Sequence, residues 1–259
     1  NQKTMTVSGE NGTLALGGTV TFNNQSQFVF DSPGTTVSGG VFDFTSNNTL
    51  DARQSVTFQS SISKWGDNST VNTGGIIKIA NAATLKYVGE PIDNQWVTQG
   101  TLTKTGGAMS WDNVSWTLSD DTSFSSDTAI STKTLALNNH LLTLASVDSD
   151  LTVTDNLTFD NSGEQIITGG ADLTLQGGLM LDNGSISSTG GIISLQEGGR
   201  LLGNGILDVS NSTWTLGDNF TKTDGTLTTT GAGTILELTD NLSFTSNTPV
   251  SVKTLNLND

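Results

Sequence analysis

Apolar and polar residues alternate over short runs along most of the chain, and each run stops at Gly, Asn or Asp. In Leu151-Thr-Val-Thr-Asp-Asn-Leu-Thr-Phe159 and Leu173-Thr-Leu-Gln-Gly-Gly-Leu-Met-Leu181, two alternating runs flank a polar turn. Alternation at period two is the mark of a half-buried strand, because successive side chains leave a strand on opposite faces. No window carries apolar residues at i, i+3, i+4 and i+7 for three turns, so the pattern predicts no helix.

The first apolar positions of these units fall at Trp116, Leu135, Leu151, Leu173, Ile193, Trp214, Leu236 and Leu255, in steps of 19, 16, 22, 20, 21, 22 and 19 residues. A step near twenty is too short for a propeller blade of about 40 residues, and the helical half of a leucine-rich repeat is missing. Short strands joined at Gly, Asn and Asp corners would close one coil of a parallel β-helix in that length. Each coil then rises by the inter-strand spacing of about 4.8 Å. The predicted fold is all-β: a single-stranded parallel β-helix, or β-solenoid, with coils of about 20 residues. In Thr254-Leu-Asn-Leu257 the leucines face inward, and stacked Asn or Thr can form ladders along the outside.

A longer repeat of about 116–120 residues overlies the coils. Trp116-Thr-Leu-Ser-Asp-Asp-Thr-Ser-Phe124 reappears as Leu236-Glu-Leu-Thr-Asp-Asn-Leu-Ser-Phe244, and the match runs on to Asn139 and Asp259. Thr73-Gly-Gly-Ile-Ile-Lys-Ile79 matches Thr189-Gly-Gly-Ile-Ile-Ser-Leu195 at offset 116; Trp96 matches Trp214, and Thr103-Lys-Thr105 matches Thr221-Lys-Thr223, at offset 118. Residues 1–259 therefore read as one continuous solenoid. Residues 1–75 are less regular coils, 76–191 hold the first copy of the long repeat (matching through 139), and 192–259 hold a partial second copy. Asp259 falls where Asn139 falls in the first copy, and there the chain continues into His140-Leu-Leu-Thr-Leu144. The expectation is a chain that continues further or stacks head to tail with another copy, since a solenoid end otherwise exposes a core layer.

Composition narrows the class. Charged residues are only 14% and apolar residues 33%, with 30 glycines and no cysteine. The absence of cysteine removes disulfide scaffolds, zinc–thiolate sites and thiol catalysis, and in a secreted protein it suggests a bacterial-type surface product. A net charge of −15 excludes an electrostatic nucleic-acid binder and argues against docking on an anionic membrane. No stretch approaches a transmembrane span, so no membrane insertion is expected.

Gly100-Thr-Leu-Thr-Lys-Thr-Gly-Gly107 and Gly225-Thr-Leu-Thr-Thr-Thr-Gly-Ala-Gly-Thr-Ile-Leu-Glu-Leu238 resemble the Gly/Thr-rich strand repeats of autotransporter passengers. The coil pattern as a whole is similar to filamentous-haemagglutinin-type adhesins. The resemblance covers most of the chain and implies a secreted bacterial parallel β-helix. It departs from autotransporters in having no membrane barrel after it, and it lacks the Gly-Gly-x-Gly-x-Asp nonapeptide of calcium β-rolls.

Candidate chemistry is sparse. The single histidine, His140, sits in a turn sequence. Asp120 and Asp121 are adjacent and would point to opposite strand faces, whereas Asp148 and Asp150 lie two apart and would share one. Asp148, Asp150 and Asp155 form a candidate Ca²⁺ site, because hard oxygen ligands at that spacing suit the ion. Asx residues at corners also have a local reason to be there, bonding their own backbone. No other cofactor is expected. Trp96, Trp116 and Trp214 occupy inward parity, as core residues. Trp65 lies in a long break of the coil pattern between Phe58 and Ile76; with Trp111 and Tyr87, near irregular corners, it is a candidate ligand contact. Asn-x-Ser/Thr at Asn113, Asn156, Asn211, Asn219 and Asn241 follows from turn composition and carries little weight for glycan attachment.

The expected function is a non-enzymatic, extracellular or cell-surface structural or adhesive solenoid, a segment of a longer repetitive protein or filament. Its expected partners are further copies or adjoining repeats stacked end to end, and a host, matrix or carbohydrate surface. The alternative is a carbohydrate-active β-helix, as polysaccharide lyase, hydrolase or sugar-binding module. An enzyme of that kind needs convergent carboxylates or basic residues in a groove.

Overall fold

The computed structural model describes residues 3–8, 12–15, 17–22, 26–31, 35–38, 41–44, 49–52, 56–59, 62–65, 70–73, 77–80, 84–87, 95–105, 108–110, 115–229, 231, 233–239, 243–247, 250 and 252–257, with backbone alone between 38 and 114. The described segments are parallel strands wound as a β-solenoid with about 21 residues per turn, and no helix. Asn1–Lys133 and Thr134–Asp259 form two compact units.

In the second unit each turn contributes three short strands to three parallel ladders. One ladder contains Leu141–Leu144, Gln165–Thr168, Ser185–Ser188, Ile206–Asp208 and Thr226–Thr228. The next contains Leu151–Val153, Leu173–Leu175, Ile192–Leu195, Thr213–Leu216, Ile235–Leu238 and Thr254–Leu257. The third contains Leu157–Phe159, Leu179–Leu181, Gly199–Leu201, Phe220–Lys222 and Phe244–Ser246.

Stacking in register turns the coil period into columns of side chains. Leu151, Leu173, Ile193, Trp214, Leu236 and Leu255 are successive partners in one column. The first four are at most 1% exposed, while Leu255 and its neighbour Leu257 are 53% and 71% exposed. Trp214 of this column packs edge-on against Phe220 of the third ladder, with ring centroids 4.9 Å apart. Fully burying one such side chain contributes about 1.5–3 kcal/mol, so the columns are the main source of cohesion.

Corners are held by Asx side chains, and many reach the following turn instead of their own loop. Asp150 Oδ1 accepts from the Asp172 N–H at 2.8 Å, and Asp172 Oδ1 from Ile192 N–H at 2.7 Å. Asn156 Oδ1 accepts from Gly178 N–H at 2.8 Å, and Asn219 Oδ1 from Ser243 N–H at 2.5 Å. The local bonding expected of corner Asx also occurs, as at Asp208 and Asp218, but inter-turn bonding recurs. A few outward and interior polar pairs extend it: Asn204 Nδ2 donates to Asn183 Oδ1 at 3.3 Å, and Ser212 Oγ to Ser188 Oγ at 2.8 Å.

The first unit also runs three strands to a turn. Lys3–Val7, Ser26–Phe30, Thr49–Ala52 and Thr70–Thr73 stack in one ladder, and Thr13–Ala15, Thr35–Ser38, Val56–Gln59 and Ile77–Ala80 in another. The strands Gln95–Thr105 and Ser115–Ser125 each continue across both positions. Thr19–Phe22, Val41–Phe44, Ile62–Trp65, Thr84–Tyr87 and Ala108–Ser110 form the third ladder.

The long repeat is reproduced in part of this register. Trp96 pairs with Trp116 as its matched residue Trp214 pairs with Leu236. Ile193 precedes Trp214 in its column, but Trp96 is preceded by Val71, because Ile77 instead pairs with Leu102. Equal sequence therefore does not impose equal stacking at that point.

Candidate functional site

A surface depression of the second unit forms at the corner between its second and third ladders. Thr154, Asp155 and Asn156 make that corner in one turn, Gln176, Gly177 and Gly178 in the next, and Gln196, Glu197 and Gly198 in the one after. The cause is a missing side chain. A Cβ on Gly177 would lie 2.4 Å from the Asp155 carbonyl carbon, so the middle corner passes close beneath the first with nothing projecting outward. The result is an open depression of about 530 Å³ lined by Thr134, Thr154, Asp155, Asn156, Gly177 and Glu197.

Both carboxylates are exposed, and their backbones are separated by two turns, roughly 10 Å at about 4.8 Å per turn. Asn156 anchors the rim through its bond to the Gly178 N–H, and the Leu157 N–H donates to Gly178 O at 3.0 Å. Gly198 closes the lower edge with φ +72, where a Cβ would meet the Asn219 carbonyl oxygen. A second, smaller depression of about 230 Å³ continues past Asn156 and is lined by Thr158, Gly178, Leu179, Met180 and Arg200. Thr158, Met180 and Arg200 are successive register partners, and Met180 and Arg200 are exposed. Along this corner two carboxylates therefore give way to an apolar thioether and a guanidinium. Such a surface accepts hydrogen bonds at one end, donates a planar fork at the other, and offers a hydrophobic step between them.

The Asp residues singled out from the sequence occupy different places. Asp148 is exposed in the Ser146–Ser149 turn, where its N–H donates to Ser146 Oγ at 3.3 Å and the Ser149 N–H donates to Ser146 O at 3.0 Å. Asp150 leaves that turn and caps the Asp172 N–H. Neither lies in a strand, so the common strand face expected of them does not exist here. Asp155 lies beyond the Leu151–Val153 strand, at the next corner, in the groove that Glu197 also lines.

Asp120 and Asp121 are both exposed instead of facing opposite sides. The register of Ser115–Ser125 against Gln95–Thr105 shifts between Thr98/Leu118 and Gly100/Thr122, a bulge that contains both aspartates. Asp120 Oδ1 accepts from the Asp121 N–H at 2.8 Å. His140 is half-buried and follows Asn138 and Asn139, both at positive φ; its N–H donates to Leu137 O at 3.0 Å.

Trp116 and Trp214 are fully buried, as their parity predicts. Trp65 ends the strand Ile62–Trp65, and its backbone partners are Phe44 and Tyr87. The stretch read as a break thus contains strands at Ile62–Trp65 and Thr70–Thr73. The side chains of Trp65 and Tyr87, and all of Trp111, lie outside the described residues.

Sequence reading missed Glu197 and Arg200, which are isolated charges in ordinary corner and strand positions. The signal that was available is Gly177-Gly178, standing where the preceding turn has Asp155-Asn156. No family model, no curated protein and no solved structure matches the chain.

Proposed function

We propose that this chain is a non-enzymatic structural or adhesive β-solenoid, a segment of a longer repetitive extracellular or cell-surface protein or filament of the bacterial adhesin kind. The observation that carries the reading is the unbroken six-residue column from Leu151 to Leu255, in which successive parallel strands stack in register. The same stacking can continue from coil to coil, through adjoining repeats or another copy. Each added coil buries the core layer of the previous one and pairs its open strand edges. The mechanism is geometric: stacked coils form a stiff spacer, and corners present contacts to a matrix or host surface. Electron microscopy of the purified protein at high concentration tests this, with end-to-end filaments as the expected result. Uniformly single particles at every concentration would overturn the stacking.

A second reading is favoured by one feature, the groove holding Asp155 and Glu197 with Arg200 beyond it. It is the kind of surface a carbohydrate-active β-helix needs. Glycan-array binding that disappears in Asp155→Asn and Glu197→Gln would support a sugar-binding surface. Turnover of a polysaccharide, lost in the same variants, would replace the non-enzymatic reading altogether.

A further inference from the structure

Lys222 stands where the stacking pattern asks for an apolar residue. Its column on the third ladder runs Phe159, Leu181, Leu201, Lys222, Ser246. The three residues before it are at most 1% exposed, and Lys222 itself is 3% exposed. The adjacent column brings Phe220 and Phe244 into a stacked pair at 5.5 Å, with Trp214 edge-on to both. An ammonium group in such surroundings is unfavourable unless a partner compensates for the lost water. Among the described residues, the hydrogen-bond partner of Nζ is the side-chain oxygen of Asn247, one turn further on, at 2.8 Å. That carboxamide is held from two more directions: its Nδ2 donates to Thr223 O at 2.6 Å, and its backbone N–H donates to Lys222 O at 3.2 Å.

We propose that Lys222 and Asn247 are joined by an intramolecular isopeptide bond. The uncharged Nζ, having released a proton to solvent, adds to Cγ of Asn247. A proton then passes from Nζ to Nδ2, the Cγ–Nδ2 bond breaks, and ammonia leaves on the exposed side of Asn247. The product is a secondary amide between Nζ and Cγ, and no oxidant or cofactor takes part. Aminolysis of a carboxamide is slow between free molecules. A pair fixed in contact gains an effective concentration that reaches about 10⁵–10⁸ M in well-oriented cases. The neutral amide also removes a charge from a side chain that is only 3% exposed.

The long repeat carries related residues at the matching positions: Lys104 matches Lys222 at offset 118, and Asp127 matches Asn247 at offset 120. In both copies a serine precedes the Asx. The bond is a property of two consecutive turns and stands whether or not the chain forms filaments.

Intact-mass measurement of the full chain, with a peptide map after digestion, tests the proposal. The expected chain is lighter than its sequence by one ammonia, and one branched peptide joins Lys222 to Asn247. Lys222→Arg, which keeps the positive charge, restores the full sequence mass. Cyclic imides at Asn11-Gly12, Asn183-Gly184 or Asn204-Gly205 would also lose ammonia, but hydroxylamine cleaves them and leaves an isopeptide intact. Recovery of separate, unmodified peptides containing Lys222 and Asn247 from the wild-type chain overturns the proposal, as does a mass loss confined to Asn11, Asn183 or Asn204. The wild-type map decides the matter even if the variant fails to fold.

Discussion

Corner residues decide how closely successive turns approach. Gly198 has φ +72, and a Cβ there would collide with the Asn219 carbonyl oxygen, so both backbone conformation and space exclude a side chain. Gly190 is different: its nearest neighbour to a new Cβ would be the Gly170 Cα at 3.6 Å, an ordinary contact. Gly198→Ala is expected to cost about 1–3 kcal/mol and Gly190→Ala no more than about 0.5 kcal/mol, read from urea or thermal unfolding. Comparable losses in the two variants would contradict the close-approach argument. At the neighbouring corner, Asp150→Ala strips the acceptor from the Asp172 N–H and should cost about 1–2 kcal/mol, whereas Asp150→Asn keeps an acceptor and should cost much less. These corner groups were recognisable as turn formers from composition. Their inter-turn bonds were not, because donor and acceptor lie about one coil apart in sequence.

At the scale of strands and columns, the energetics follow nearest neighbours, since each strand touches only the turn before and the turn after. Leu173 is fully buried between Leu151 and Ile193. Leu173→Ala should therefore destabilise by about 2–5 kcal/mol, and hydrogen exchange should accelerate first in the strands of the turns on either side. Uniform acceleration across the second unit would show that the columns do not act locally. Thr168 is an exception within its own column, between Leu144 and Ser188: it is fully buried, and among the described residues its hydroxyl has no hydrogen-bond partner. Thr168→Val replaces that hydroxyl with a methyl of similar size and is expected to raise stability by about 1 kcal/mol. A loss of stability in the denaturant midpoint would mean that the hydroxyl is satisfied in solution.

For the molecule as a whole, charge and coil stacking act against each other. A net charge of −15 keeps copies apart, whereas end-to-end stacking would pair strand edges and bury core surface. Raising ionic strength from about 0.01 to 0.15 M shortens the screening length from roughly 30 to 8 Å and should promote self-association. Sedimentation velocity should then show larger species at the higher salt than at the lower. Association unchanged by salt would show that net charge is not what opposes it.

The solenoid was legible because strand parity is a local backbone property. Leu151, Leu173, Ile193, Trp214, Leu236 and Leu255 were picked out by alternation and spacing alone, and they form one column. Where a polar residue stands in register with apolar ones, the signal fades. Ser63 is the register partner of Phe42 and Leu85, and that change hid the Ile62–Trp65 strand within an apparent break. The bulge at Asp120 and Asp121 was invisible for a related reason, since two extra residues inside a strand leave no Gly or Pro to mark them. Which side chains meet across turns was settled only in three dimensions. Asp155 and Glu197 lining one depression, and Lys222 against Asn247, depend on the exact residue count of every intervening corner. Alternation determines whether a side chain faces in or out; only the accumulated length of the turns determines which one it faces.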